Sequence, residues 1–374
     1  MYKTSGTMKT KFSQMFPSGH IPVSWLILLV IVFLLPGCQA GWDIENPYEQ
    51  VDWSNHQQYK ANLHTHTTRS DGWMAPQAVV DRYHQLGYHI LAITDHNEVT
   101  WPWSGFANLE PSETAKERVE EGELDPEKLV YENRGPSQLA MLDVQGNELS
   151  QHHHMGSYFT GHNGTSAVEK SLSATASKNG LVLFNHPGRY TASDPDKFNP
   201  GWYEQHFQDY EHLLGIEVYN QGDRYPDDRR LWDSILTRIM PERPVWGFSN
   251  DDMHSEGALG RNWNVFILPE LSEEGLREGM KDGRFYYVYA PEGHDGPNPP
   301  RIEEISVNER QGEIEIQTLE HDSIRWISGG KVLQTGNSLR LNDHPGISGY
   351  VRAEIFGAGK TITGTQPFGI DKRE

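Results

Sequence analysis

His64 and His66 stand two residues apart in Asn62-Leu-His-Thr-His66. In an extended backbone that spacing projects both imidazoles from one face, and two neutral imidazoles aimed at one point are the beginning of a metal site. Asp252 and His254 repeat the spacing. Further candidate ligands follow apolar runs: His96 in Ile93-Thr-Asp-His-Asn97, Glu148 in Asp143-Val-Gln-Gly-Asn-Glu148, His186 in Leu183-Phe-Asn-His-Pro-Gly188, and one of His152, His153 and His154. A binuclear hydrolytic centre needs deprotonated N and O ligands, a carboxylate that bridges two cations and an open position for water. Each ligand type is present, and Glu148, at the end of a strand, is the candidate bridge. A single HxH pair carries little weight; the joint occurrence at strand ends carries the reading. His154 abuts the apolar run Met155 to Phe159 and is the favoured ligand of its triplet, ahead of His153, with His152 expected in solvent. Asp95 alternates with His96 and points to the opposite face, as a supporting or core residue.

The elements that must place these groups alternate. Ala61 to His66 reads as a strand, Ala75 to Leu86 as a helix with Pro76 near its start and Gly87 past its end, and Tyr88 to Thr94 as a strand. Residues 167–178, 228–240 and 273–281 read as helices, and 181–184, 214–219, 245–248 and 265–268 as buried strands. Such alternation predicts a mostly parallel sheet with the chemistry at the C-terminal ends of its strands. Ligands drawn from many strand ends favour a closed, distorted barrel. Residues 101–139, with an acidic run from Glu117 to Glu127 and four prolines, interrupt the rhythm as an insertion, either a lid or a solvated excursion.

Taken together, Leu63-His-Thr-His66, Ser70-Asp-Gly72, Ile93-Thr-Asp-His-Asn97, Gly146-Asn-Glu148, Asn185-His-Pro187 and Asp252-Met-His254 resemble the motif set of the PHP (polymerase and histidinol phosphatase) family of metal-dependent phosphoesterases, over roughly residues 59–290. The resemblance is to the branch with a C-terminal β domain, which Ile216-Glu-Val-Tyr-Asn220 also resembles. It implies an α/β fold, a distorted (β/α)7 barrel, with two or three divalent ions. One ion would take His64, His66, Glu148 and Asp252. A second would share Glu148 and add His186 and a histidine of the triplet, His154 first. A third would take Asp71, His96 and His254; many relatives have histidine where Asp71 stands. Imidazole and carboxylate ligands suit Zn, Mn or Fe. The implied reaction is attack of a metal-bridged hydroxide on a small-molecule phosphate ester, monoester or diester. Arg189 or Arg261 would offset the phosphoryl charge, and His254 or His96 would protonate the leaving group if the third ion is absent. The rivals are a carboxylic or carbamate ester hydrolase using the same centre, and a non-catalytic surface lipoprotein stapled by metal that binds a partner or glycan.

Composition bounds the rest. Lys+Arg total 32 against 52 Asp+Glu, for a formal charge of -20, which argues against a groove that neutralises nucleic-acid phosphates. The single cysteine, Cys38, closes Leu35-Pro-Gly-Cys38 after the apolar run Val23 to Leu35 and the basic Lys9 and Lys11, a pattern resembling a bacterial lipoprotein signal. Residues 1–37 are thus expected to be a signal peptide and Cys38 a lipid anchor to the cell envelope, periplasmic or outer-membrane. Residues 38–58 are expected as a polar tether, 59–296 as the barrel, and 297–374 as a small all-β, sandwich-like domain of short strands between turn signals. With one cysteine no disulfide framework forms.

Overall fold

Apolar residues that alternate with acids open the described chain. Trp42, Ile44, Tyr48 and Val51 are buried, and β1 (Trp42–Glu45) pairs antiparallel with the last strand, Phe368–Lys372. Residues 42–51 therefore belong to the core and not to the tether expected over 38–58. Counting the charges there hid their period-two alternation with Trp42 and Ile44. The structure, a computed structural model, describes residues 41–103, 113–122 and 139–373. Cys38 with its apolar run, and most of the 101–139 insertion, lie outside the described residues.

β2 (Gln57–Asn62), β3 (Ile90–Ala92) and β4 (Leu142–Val144) run parallel, with α1 (Pro76–Gln85) after β2 and α2 (Glu113–Glu120) after β3. β5 (Gly146–Leu149) and β6 (Met155–Tyr158) form a hairpin, and β6 is antiparallel to β7 (Leu181–Phe184) as well. α3 (Val168–Ser177) leads into β7, which is followed by α4 (Gly188–Ser193) and α5 (Pro200–Asp209). Then come β8 (Leu213–Asn220), α6 (Asp228–Ile239) and β9 (Trp246–Asn250), with β7, β8 and β9 parallel. β10 (Asn262–Leu268), α7 (Glu273–Asp282) and β11 (Phe285–Tyr289) complete this part, β10 antiparallel to β2. The mostly parallel sheet expected from the alternation is thus confined to two runs of three strands. Residues 150–154 between β5 and β6 are too few for a crossover, which needs about a dozen, so the chain turns back as a hairpin.

Two sheets result. Among the described residues no continuous ladder joins them; isolated parallel bridges do, Thr65 with Met253 and His96 with Glu148. One buried cluster draws on both sheets, including Leu63, Ala92, Val144, Tyr158, Leu183 and Phe248. The result is a mixed α/β fold whose two sheets share a core and touch through single bridges at the ends where their strands finish; among the described residues no continuous ladder closes them into the barrel expected from the alternation.

Beyond residue 300 the chain is all β. β12 (Arg301–Asn308), β13 (Glu313–Leu319) and β16 (Ser338–Arg340) form one antiparallel sheet. β14 (Ser323–Ser328), β15 (Lys331–Thr335), β17 (Gly349–Phe356), β18 (Ile362–Gly364) and β19 (Phe368–Lys372) join the sheet that contains β2 and β10, through the pairing of β18 with β11. Ile314, Trp326, Leu339 and Ile355 share a core with Val265 and Val288, so the backbone ladder and the apolar packing both run across position 296. A buried ion pair adds to this: Arg352 of β17 meets Asp233 of α6 through Nε–Oδ1 and Nη2–Oδ2, each 2.8 Å.

Candidate metal centre

Past the end of β2 the chain stays extended, and the Thr65–Met253 bridge sets two arms side by side. The Asp252 N–H donates to His64 O (3.0 Å) and the His66 N–H to Met253 O (2.9 Å). Residues that flank a bridged pair point to one face, so His64, His66, Asp252 and His254 converge. His64 Nε2 lies 3.1 Å from His66 Nε2 and 3.3 Å from Asp252 Oδ1, and His66 Nε2 is 3.1 Å from that same oxygen. The strand expected to reach His66 ends at Asn62; the histidines sit in the extended segment beyond it. Asp252 and His186 both have positive φ, +45° and +29°, sparsely populated for such residues and characteristic of sites whose surroundings over-determine them.

The second bridge does the same for the other sheet. The Asn97 N–H donates to Glu148 O (2.8 Å) and the Glu148 N–H to Asp95 O (3.2 Å). Glu148 is fully buried at the centre of the cluster. Its Oε1 lies 3.3 Å from His64 Nε2, 3.2 Å from His154 Nδ1 and 3.1 Å from His186 Nε2; its Oε2 lies 3.0 Å from His96 Nδ1. Asn185 Nδ2 donates to Oε1 (2.9 Å) and fixes the carboxylate. At the mouth, half-exposed Asp71 approaches His96 Nε2 (3.4 Å) and His254 Nε2 (3.3 Å).

All the expected ligands therefore meet. Their ligand atoms form four overlapping groups within 4.8 Å: His64, His66 and Asp252; His64, Glu148 and His186; His96, Glu148 and His154; and His66, Asp71, His96 and His254. This differs in detail from the three implied sets, because His96 stands with Glu148 and His154 as well as with Asp71 and His254. Within the triplet, His154 lines the cavity. His153 is buried away from it, stacked on Tyr190 with ring centroids 4.0 Å apart and with Nε2 2.9 Å from the Tyr203 hydroxyl. His152 is half-buried rather than solvated: the tight β5–β6 turn brings its Nε2 within 3.0 Å of Ser171 Oγ. Asp95 faces away, accepting from the Thr67 N–H and from the hydroxyls of Thr67, Ser70 and Thr100.

The residues fit divalent cations. His64 Nδ1 is 2.9 Å from Glu217 Oε1, a carboxylate that only accepts, so that nitrogen carries the proton and Nε2 offers its lone pair. It offers it toward another imidazole nitrogen and two carboxylates. Glu148 Oε2, Asp252 Oδ1 and His154 Nδ1 are buried without a hydrogen bond of sound geometry among the described residues. Donor atoms so opposed in a buried place repel unless protons or cations lie between them. Charge coupling runs the same way. Burial disfavours the charged form of His64, but Asp252, Glu217 and Glu148 outweigh it and hold the imidazole well above its usual range. Burial is likewise overcome at His96, which Asp71 and Glu148 lift to about 10. At His66 burial wins over Asp252 and Glu148, and the pKa falls. Burial alone would raise Glu148 and Asp252, yet the surrounding histidines hold both well below the carboxylate range.

A cavity of about 240 Å³ opens onto this cluster, and its remaining wall is Arg189, Gln221, Arg224 and Tyr225. Gln221 Nε2 donates to Asp252 Oδ2 (3.0 Å), and its Oε1 accepts from Arg224. Among the described residues neither Arg189 nor Arg224 has a carboxylate within ion-pair distance. Arg261, expected beside Arg189, lies outside the cavity lining, its side chain against Gly222 and Gly293. Asp251 accepts the N–H groups of Gly260, Arg261 and Asn262 and so fixes the backbone of that loop. Arg224 and Tyr225 were not anticipated. They follow the apolar strand β8, and the rule that chemistry sits past strand ends points to them.

No family model matches the chain, and no curated protein matches it. Among solved structures it is similar to a two-domain protein containing a predicted PHP-like metal-dependent phosphoesterase from Bacteroides vulgatus, with 17% identity, 85% of this chain and 96% of that one covered, and a TM-score of 0.47. It is also similar to a lesion-specific endonuclease from Pyrococcus furiosus (12% identity, 60% and 56% covered, TM-score 0.36). A third similar structure is an amidohydrolase from Chromobacterium violaceum with bound sulfate (16% identity, 60% and 96% covered, TM-score 0.34).

Proposed function

We propose that this chain is a metal-dependent hydrolase of phosphate esters, monoesters or diesters. One observation carries the reading: a buried His/Asp/Glu cluster shares its cavity with two arginines, Arg189 and Arg224, that have no acidic partner among the described residues, in a chain of net charge -20. Guanidinium groups left unpaired among so many carboxylates are placed for an anionic oxygen group. His64, His66, Asp71, His96, Glu148, His154, His186, Asp252 and His254 would hold two or three divalent cations, which when bound supply Lewis acidity and acidify water. The protein's own groups do the rest. Arg189 and Arg224 bind the non-bridging phosphoryl oxygens and align the ester. Gln221 keeps Arg224 beside Asp252. His254 donates from Nδ1 to the Asp252 carbonyl (2.9 Å), which leaves Nε2 facing Asp71 and the mouth. Where only two cations bind and His254 holds none, its Nε2 is placed to protonate the leaving oxygen, and Asp71 and Asp252 raise its pKa against the effect of burial. A cavity of this size admits the phosphate ester head group; the remainder of the substrate stays at the rim.

The test is a substrate panel of phosphomonoesters, phosphodiesters and aryl carboxylic or carbamate esters, assayed with Zn, Mn and Fe. Turnover of phosphate esters, lost on chelation and restored by metal, is the expected result. Turnover of aryl esters alone would overturn it in favour of a carboxylic ester hydrolase. Loss of thermal stability on chelation with no activity on any ester would leave a metal-stapled binding protein. We further propose that the Leu35–Cys38 motif anchors the enzyme to the bacterial envelope. Membrane fractionation of Cys38→Ser is expected to move the protein into the soluble fraction, and unchanged membrane association would sink that reading.

A further inference from the structure

Glu217 sits on β8, wholly buried and outside the cavity lining, yet each bond its carboxylate makes leads to the metal cluster. Its Oε1 is 2.9 Å from His64 Nδ1 and accepts from Asn250 Nδ2 (2.9 Å). Its Oε2 accepts from the backbone N–H of His186 (2.8 Å) and from Asn220 Nδ2 (2.9 Å). Asn250 in turn accepts the Leu63 N–H (3.0 Å) through Oδ1, and Asn62 Oδ1 accepts the His64 N–H (3.0 Å), so the backbone that carries His64 is tied down on both sides. The His186 N–H that Glu217 holds belongs to a residue at φ +29°. β8 also changes register against β9 between Glu217 and Tyr219, a local irregularity of the kind that re-aims a side chain near a site.

We propose that Glu217 is a positioning residue for the metal centre: it fixes the tautomer of His64, with the proton on Nδ1 and the lone pair of Nε2 toward the cluster, and it pins the backbone of His186 in its strained conformation. One carboxylate thereby aligns ligands that arrive from β2 and from β7. A plain structural carboxylate would be satisfied by any donors; this one spends all of its acceptor positions on a ligand imidazole, a ligand backbone and two amides that abut them. A carboxylate on the outer nitrogen of a ligand histidine increases the basicity of that ligand, and losing such a partner weakens metal binding about 10–100-fold. The inference rests on the cluster being a metal centre, as proposed above.

The test is calorimetric titration of chelator-stripped full-length protein with Zn²⁺ and with Co²⁺, for wild type, Glu217→Gln, His64→Ala and the double variant. Glu217→Gln is expected to bind about 10–100-fold more weakly, with an altered visible cobalt spectrum, and in the His64→Ala background to add only the part of that loss carried through the His186 backbone. Affinity equal to wild type, or a full additional loss in the double variant, would overturn the role assigned to Glu217. Failure of the wild type to bind either ion would instead reject the metal-centre reading itself. If Glu217→Gln does not fold, long-range ¹H–¹⁵N spectra of zinc-loaded wild type decide: the His64 proton is expected on Nδ1, and a proton on Nε2 would refute the assignment.

Discussion

Glu148 touches His64, His66, His96, His154 and His186, and among the described residues Asp252 comes next with four of the cluster's histidines. Glu148→Gln is expected to bring phosphate ester turnover to near background while the far-ultraviolet circular dichroism stays native. The cationic wall makes a finer prediction. A charge-assisted hydrogen bond contributes about 1.5–3 kcal/mol, so Arg224→Met should lower kcat/KM for phosphate esters roughly 10–100-fold. Any carboxylic ester activity should stay within about twofold in the same variant, since a neutral ester presents no phosphoryl oxygens to lose. Equal losses on both substrates would mean that Arg224 supports the fold and not the anion. Protons compete with cations for the imidazoles: Asp71 and Glu148 hold a proton on His96 up to about 10, and Asp252 with its neighbours holds one on His64. A cation must displace them, so apparent affinity should rise with pH, about tenfold per unit for each proton released. Titration between about pH 6 and pH 8 measures the slope; a flat profile would mean that no proton is displaced.

At the scale of elements, α4 and the β8–α6 loop meet tightly. A Cβ on Gly188 would lie 2.5 Å from Asp228 Oδ1 and 2.8 Å from Tyr225 Cβ. Gly188→Ala is therefore expected to cost about 1–3 kcal/mol in thermal melting and to lower kcat/KM by pushing Tyr225 and Arg224 out of register; unchanged melting and kinetics would show that the loop yields freely. Most of the ligands were legible in the sequence because they follow apolar runs, and the i, i+2 spacing of His64/His66 and Asp252/His254 survives as two arms across one bridge; His154 precedes such a run, and Asp71 came only from the family resemblance. Other features were not legible. Arg189 and Arg261 each lie a short loop past a ligand, and nothing local tells them apart; the difference lies in the fold, where Asp251 fixes the backbone of residues 260–262. Glu217 reads equally as a core residue until the fold brings it against His64. The direction of β6 and β10 depended on link length and long-range pairing, which apolar periodicity does not encode. The strand at residues 42–45 was masked by its acids, and its partner lies at the far end of the chain.

At the scale of the molecule, the C-terminal strands are built into the same sheet as the site-bearing ones. Arg352 is buried between Asp233 and Glu354, and removing a member of such a network leaves buried charge poorly compensated, at a cost of about 3–5 kcal/mol or less where the second carboxylate remains. Asp233→Leu and Arg352→Met are each expected to lower the melting temperature sharply, and the double variant to recover part of the loss. Truncation after residue 296 should yield insoluble chain, because β11 would lose its pairing with β18 and the shared core its C-terminal half. A truncated protein that stays monomeric and binds metal would show that the site-bearing part folds alone. The seam at Thr65–Met253 has one more consequence. The first and last arms of the cluster are separated by about half of the chain, and the pocket between them does not exist until both are in place. On the metal-centre reading, a chain emerging from the ribosome could not load ions on the N-terminal arm and wait. Ion uptake would then be a late event, a sign that the two arms have met, and a nascent or clipped chain would be kept from trapping scarce metal.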